Sequence, residues 1–292
     1  MNQINIFNHD INFSIQIQQL KYCIGYNHEM KYQLFQMIRQ VYSRVGSEKR
    51  EEYGIRNVIT FDSEEFNVRS SMLWEVSSSY SLTEEMKLGT KSLITTYLET
   101  KLQNTIYFDS MNTLEILFNS LEFEINEEDN VNVIFNSVNS KTLFKFMKAC
   151  LKDGDLQQDE YDLSYEQIIL LQIKMIAYIM KHKIYNIKPI IIVHAPVLTD
   201  KIIQALWEIP NVCVLVDTVE YLPNMNIKDI ALFESGYTDC GDIETIYRII
   251  DQRYCRLVLL NQVEEQMKEY LKKYYSTEHA NLTEFLANFN TK

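Results

Sequence analysis

The most suggestive chemistry lies at the end of a short apolar run. Gly25-Tyr26-Asn27-His28-Glu29-Met30-Lys31-Tyr32 follows Tyr22-Cys23-Ile24 and opens a helical pattern. A phosphate-binding loop sits in that context, with backbone N–H groups and a helix N-terminus facing the anion. A working loop needs a second glycine before the lysine and Ser or Thr after it to ligate magnesium. Met30 and Tyr32 hold those places. Gly25 and Lys31 therefore form a degenerate phosphate loop, and no nucleotide is expected there. Asp217 ends an apolar run, as a magnesium-holding aspartate does, and His194 ends another. Ligands bind at the carboxyl ends of parallel strands. Yet no Ser or Cys stands in a nucleophile-elbow context, and there is no HExxH, metal-spaced His/Cys cluster or glycine-rich dinucleotide fingerprint. No catalytic residue is assigned, and the chain reads as a non-enzyme.

Two basic sets point elsewhere. Lys141, Lys145, Lys148 and Lys152 fall at about 0°, 40°, −20° and 20° on a helix, one narrow stripe without an interspersed acid. Such a stripe is either a solvated face or a row of phosphate contacts. The second set is Arg39, Arg44, Lys49, Arg50 and Arg56, within residues 31–60, which carry net charge +3. Residues 189–247 carry −7. An acidic segment, with Asp153, Asp155, Asp159, Glu160 and Asp162, lacks the glycine and terminal Glu of an EF-hand and reads as a solvated loop. No metal ligand is assigned.

The elements that must hold these residues follow from periodicity. Ile11, Phe13, Ile15 and Ile17 alternate as a half-buried strand. Met30, Leu34, Met37, Ile38, Val41 and Tyr42 make an amphipathic helix. Val58–Phe61 is a short strand, residues 63–82 read as irregular or a short helix around Trp74, and Thr83 caps the next helix. Residues 83–152 look mainly helical, with a strand-like piece at Leu121–Ile125. Ser164 and Gln167 form a capping box for a helix apolar on several sides. Ile190–Val193, a helix capped by Thr199, and Val212–Asp217 form a βαβ unit of a parallel sheet. Residues 243–275 are helix-forming, either an oligomerisation arm or a docked helix, and a short last helix is expected over residues 279–289, which lie outside the residues described below.

The whole chain has 292 residues, 46% hydrophobic and 23% charged, with net charge −12. That is a globular composition and argues against coating nucleic acid with the entire surface. With only 7 glycines and 4 prolines, an all-β architecture is disfavoured and a helix-rich α/β fold expected. No uninterrupted apolar run reaches membrane-spanning length. The first ten residues lack a basic and apolar leader pattern, and the five cysteines are widely spaced. A reduced, cytoplasmic setting is expected.

The order of these features resembles the Csn-two family, the spacer-acquisition protein of type II-A CRISPR systems, in its long branch. The resemblance is carried by residues 185–233, with IIIV, VLTDKIIQALWEI, NVCVLVDT and VEYLPNMNIKDIALF, by Leu117-Phe118-Asn119-Ser120-Leu121, and by the Gly25–Tyr32 loop. It implies a parallel-sheet α/β core resembling a degenerate P-loop NTPase fold, with an inserted helical domain and a C-terminal helical extension. The expected division is a discontinuous core of residues 1–82 and 164–240, an insert of 83–163 and an extension of 241–292. The resemblance further implies a homotetrameric ring that encircles double-stranded DNA at free ends and acts in spacer acquisition with the integrase and RNA-guided nuclease of the same system. It implies calcium near the helical domain, although the matching region Leu98–Met111 keeps only Glu99 and Asp109 as acids. Two other readings stand beside it. One is a divergent P-loop-type nucleotide-binding protein or NTPase working through Lys31. The other is a scaffold whose partner surface is the helix of residues 243–275.

Overall fold

A computed structural model describes residues 2–43, 57–62, 64–65, 70–86, 88, 92–126, 133–135, 139–153, 156–158, 160–254 and 259–275. In chain order the elements are β1 (Asn2–Phe7), β2 (Asn12–Ile17), β3 (Leu20–Ile24), α1 (His28–Tyr42), β4 (Val58–Phe61), β5 (Glu64–Glu65), β6 (Leu73–Ser77), α2 (Leu82–Glu85), α3 (Leu93–Leu102), α4 (Phe108–Asn126), α5 (Ser140–Phe144), β7 (Leu151–Asp153), β8 (Leu156–Gln158), α6 (Tyr165–His182), β9 (Ile190–His194), α7 (Asp200–Trp207), β10 (Cys213–Asp217), β11 (Ile230–Phe233), β12 (Tyr237–Asp239), α8 (Ile243–Tyr254) and α9 (Val263–Tyr275). They divide into two units, residues 1–78 with 185–292, and residues 79–184. α6, which opens at Ser164, thus groups with the helical unit, and α8 and α9 group with the sheet.

The first unit is a mixed α/β structure. Its main sheet has the order β12-β11-β3-β10-β9-β6, parallel throughout except for β12 at the edge. β9 and β10 are adjacent and parallel, joined through α7, whose cap is the expected Thr199 side chain accepting from Ile202 N. Their continuous β-branched runs are buried because the sheet is covered on both faces. On one face, Cys23, Ile190, Ile192, Cys213, Leu215, Ala231 and Phe233 share a core with Leu34, Phe35, Met37 and Ile38 of α1. The same core takes in Ile4, Ile6, Phe13, Ile15, Ile17 and Ile59 from a second, antiparallel sheet of order β2-β1-β4-β5. Burial of these side chains, at ~25 cal/mol per Å² of apolar surface, is the main force holding α1 across the strand ends.

Two parts of this unit depart from the sequence reading. Residues 73–77 are not irregular or helical around Trp74 but form β6, the edge strand beside β9. β1, at the polar N-terminus, is the centre of the antiparallel sheet, with Ile4 and Ile6 facing inward between polar neighbours. A fully buried lysine joins the sheets: Lys21 Nζ donates to Gln16 O (2.9 Å), Lys228 O (2.8 Å) and the Asp239 carboxylate.

In the second unit, α3 and α6 are neighbours, with Tyr97 and Tyr178 edge to face at 5.2 Å. α6 starts with the capping box read from sequence: Gln167 N donates to Ser164 Oγ, and Ser164 N donates to Gln167 Oε1. Other expectations fail here. Ser81, not Thr83, caps α2, which lasts a single turn. Leu121–Ile125 is not strand-like but the last part of α4. The acidic segment contains an antiparallel hairpin, β7 with β8, rather than an irregular loop throughout.

Candidate functional site

The site is built on the carboxyl ends of β6, β9 and β10 and on one stripe of α1. Asp217 of β10 lies in register with His194 of β9, and Ser77 of β6 with the same His194. Side chains alternate along a strand, so Glu75, His194 and Asp217 share the face that α1 covers. Residues 31, 35 and 39 are four apart and line one side of α1. Lys31 reaches Asp217, Phe35 meets the His194 ring edge to face at 5.4 Å, and Arg39 reaches Glu75.

The contacts form one charged network. Lys31 is 2% exposed; its Nζ donates to Asp217 Oδ1 (3.1 Å) and to the Thr218 carbonyl (2.8 Å). His194 Nδ1 lies 3.2 Å from Asp217 Oδ2, and its Nε2 lies 3.0 Å from Arg39 Nη2 and 3.7 Å from Glu75 Oε2. Arg39 grips Glu75 with two bonds, Nε to Oε1 at 2.9 Å and Nη2 to Oε2 at 2.7 Å. The carboxylates of Asp217 and then Glu75 lift the His194 pKa to about 9, against burial and the Arg39 charge. His194 and Arg39 in turn pull Glu75 down to about 2. Burial alone would raise Asp217, but the His194 bond and the Lys31 charge leave it below the usual carboxylate range. With Nδ1 facing the Asp217 carboxylate and Nε2 facing the Arg39 guanidinium, the imidazole ties the ends of β9 and β10 to α1.

The glycine loop is equally committed. Gly25 has φ +131°, and a Cβ there would stand 2.1 Å from the Phe233 carbonyl oxygen. The loop presses on the end of β11: Asn27 N donates to Phe233 O (3.1 Å), and Asn27 Nδ2 donates to Glu234 O (2.7 Å). Asn27 also caps α1, its side chain accepting from Met30 N while its carbonyl accepts from Lys31 N. The glycine therefore serves a close backbone approach, and amides that would cradle a phosphate are spent within the protein. Cys23, the thiol nearest this loop in sequence, is fully buried, and burial pushes it up to about 12, far from a thiolate.

The basic residues read from sequence do not gather into one stripe. α5 ends at Phe144, so Lys141 lies in a single short helix, Lys145 in the following turn, Lys148 in a segment without regular secondary structure and Lys152 in β7. A five-residue helix needs packing to persist. Phe144 is buried in it, Thr142 and Leu143 are half-buried, and Phe146 and Met147 beyond it are exposed. Lys145, Lys148 and Lys152 are exposed. Arg39 is paired with Glu75, and Arg44, Lys49, Arg50 and Arg56 lie outside the described residues.

For calcium, Glu99 of α3 and Asp109 of α4 are the acids retained in the implied region. Among the described residues no group of three or more His, Cys, Asp or Glu side chains could hold a metal ion. These residues do not fit calcium by themselves; Asp155 and Asp159 lie outside the described residues. No helix among the described residues is long and apolar enough to cross a membrane.

Sequence reasoning missed Glu75 and Arg39 as members of the site. Their pairing depends on β6 lying beside β9, and only the acid-after-apolar alternation of Trp74-Glu75-Val76 hinted at a strand. No family model and no curated protein matches the chain. Among solved structures, the chain is similar to Stu0660 of Streptococcus thermophilus, with a TM-score of 0.66 over 87% of this chain and 80% of that one at 13% identity. At that identity the likeness shows a shared fold.

Proposed function

We propose that this chain is a non-catalytic double-stranded-DNA-binding protein of CRISPR spacer acquisition, working as a homo-oligomeric ring, a tetramer, that slides onto free DNA ends. The integrase and the RNA-guided nuclease of the same system are its protein partners. The observation that carries the reading is the internal use of Lys31. In a nucleotide-hydrolysing sheet that lysine must face an open loop; here Asp217 and the Thr218 carbonyl hold it while the loop amides bind Phe233 and Asn27. An α/β sheet with a sealed phosphate loop is a scaffold. Support also comes from the residue resemblance over 185–233, the fold shared with Stu0660, and the exposed Lys145, Lys148 and Lys152 on an acidic protein.

Duplex binding measured across a salt titration tests this. Phosphate contacts release counterions, so affinity falls steeply with salt, with a log–log slope of about −0.9 per contact. A flat response would contradict the reading. Calcium belongs in the same titration, because the family resemblance implies it; a calcium-dependent rise in affinity would place a cation in the DNA-bound form. The nucleotide reading requires Lys31 to leave Asp217, and a thermal shift with ATP and magnesium that Lys31→Ala removes would favour it.

A further inference from the structure

The sealed loop carries an exposed tyrosine. Tyr26 follows Gly25 and is 62% exposed. One face of its ring rests on Tyr275, with centroids 5.4 Å apart and planes only 22° from parallel. Its hydroxyl donates to the Tyr274 carbonyl at 3.3 Å. Beneath it lies a fixed base. The Glu234 carboxylate accepts from the hydroxyl of Tyr270 at 2.6 Å and from that of Tyr275, and both rings are buried. Tyr270 in turn packs against Tyr274 at 4.8 Å, which is 51% exposed and has the Lys273 ammonium 5.3 Å from its ring centre. The last turn of α9 thus offers Lys272, Lys273 and Tyr274 to solvent, adjoining in the chain the Tyr275 on which Tyr26 stacks.

The two lysines also suit a helix C-terminus, where cations offset the dipole. That role explains their charge but not the pair of exposed phenol rings, held by buried partners that order them before anything binds. Flat aromatic faces flanked by ammonium groups are the elements of single-strand recognition: the ring takes a base and the cation takes its phosphate. We propose that Tyr26 and Tyr274, with Lys272 and Lys273, form a stacking platform for unpaired nucleobases at a DNA end. This rests on the DNA-binding reading and adds to it a preference for ends with a single-stranded overhang. No chemistry is performed there; the platform holds a frayed or overhanging strand.

The test uses the full chain with three DNAs of matched sequence: a blunt duplex, a duplex with a short 3′ overhang carrying 2-aminopurine, and the labelled single strand. The overhang duplex should bind roughly tenfold tighter than the blunt one, with quenching of the probe. Tyr26→Ala should abolish both the preference and the quenching, Tyr26→Phe should keep both, and Lys272→Ala with Lys273→Ala should weaken overhang binding mainly at low salt. Equal binding of blunt and overhang duplexes, or a preference that survives Tyr26→Ala, would overturn the platform. If the single strand binds with Tyr26-dependent quenching while the blunt duplex does not bind at all, the platform stands and the duplex reading falls. Binding to none of the three would overturn both.

Discussion

Replacing Lys31 with methionine keeps an unbranched apolar stem, one atom shorter, and removes the charge. The ammonium it removes is 2% exposed and bonds Asp217 Oδ1 and the Thr218 carbonyl. Removing one partner of a buried ion pair costs about 3–5 kcal/mol, because the other charge is left behind. Asp217 retains His194 at 3.2 Å and a 29% exposed side chain, so the lower end, about 3 kcal/mol, is expected. For a unit of this size that is a loss of roughly 6–12 °C in Tm. Both tryptophans, Trp74 in β6 and Trp207 in α7, belong to this unit, so tryptophan fluorescence follows its unfolding by urea without interference from the helical unit. Adding Asp217→Asn to Lys31→Met should restore at least ~1 kcal/mol, since the stranded charge is gone. The reasoning is refuted if Lys31→Met unfolds within ~0.5 kcal/mol of the parent, and refuted further if the parent, but not the variant, is stabilised by ATP and magnesium.

Further outcomes follow from the same geometry. His194 is raised from 6.5 to about 9, so its contribution to stability is full below pH ~6.5 and lost as pH rises through about 9; urea midpoints at pH 6 and 9.5 should show that loss, and His194→Gln should flatten it. Glu75, lowered to about 2, acts in the opposite sense: its contribution is present above pH ~4.5 and disappears as pH falls towards 2, a decline that Glu75→Gln should remove. Gly25→Ala, at φ +131° and 2.1 Å from the Phe233 carbonyl, should cost about 3 kcal/mol or prevent folding. Gly236→Ala, whose added methyl meets nothing within 4 Å, should be near neutral in the same denaturation assay. Changing Lys145, Lys148 and Lys152 together to Glu should make the salt slope of duplex binding shallower by about 0.9 for each lysine that meets a phosphate, and an unchanged slope would remove them from the interface.

What could be read from the chain was whatever short-range pattern encodes. The runs Ile190–Val193 and Val212–Asp217, separated by one capped helix, carry their βαβ geometry locally, as do the Ser164–Gln167 box and the α1 stripe. β1 and β6 were lost because each is short and offers little alternation: in Asn2–Phe7 it rests on Ile4 and Ile6, and Trp74-Glu75-Val76 is too brief to be told from a helical turn until β9 lies beside it. Leu121–Ile125 misled because a run rich in Leu, Phe and Ile fits a buried strand or a helix equally well. The lysine stripe failed for the converse reason: a helical spacing of cations does not supply the buried face that a helix needs. Of the site, the sequence located Gly25 and Lys31 as a degenerate phosphate loop between β3 and α1, and His194 and Asp217 as strand-end residues. That Lys31 is spent on Asp217, and that Arg39 and Glu75 complete the network, depends on contacts between residues 36 to 186 positions apart. Lys21 and Asp239, separated by 218 positions, were invisible in the same way.

The most direct test of the central claim compares linear with covalently closed circular duplex DNA of one sequence, by gel shift at low and moderate salt. A ring that loads over ends binds the linear form strongly and the closed circle weakly, and that is the predicted result. Equal binding to both forms would contradict encirclement and leave an open basic surface, and binding to neither would contradict the DNA-binding function itself.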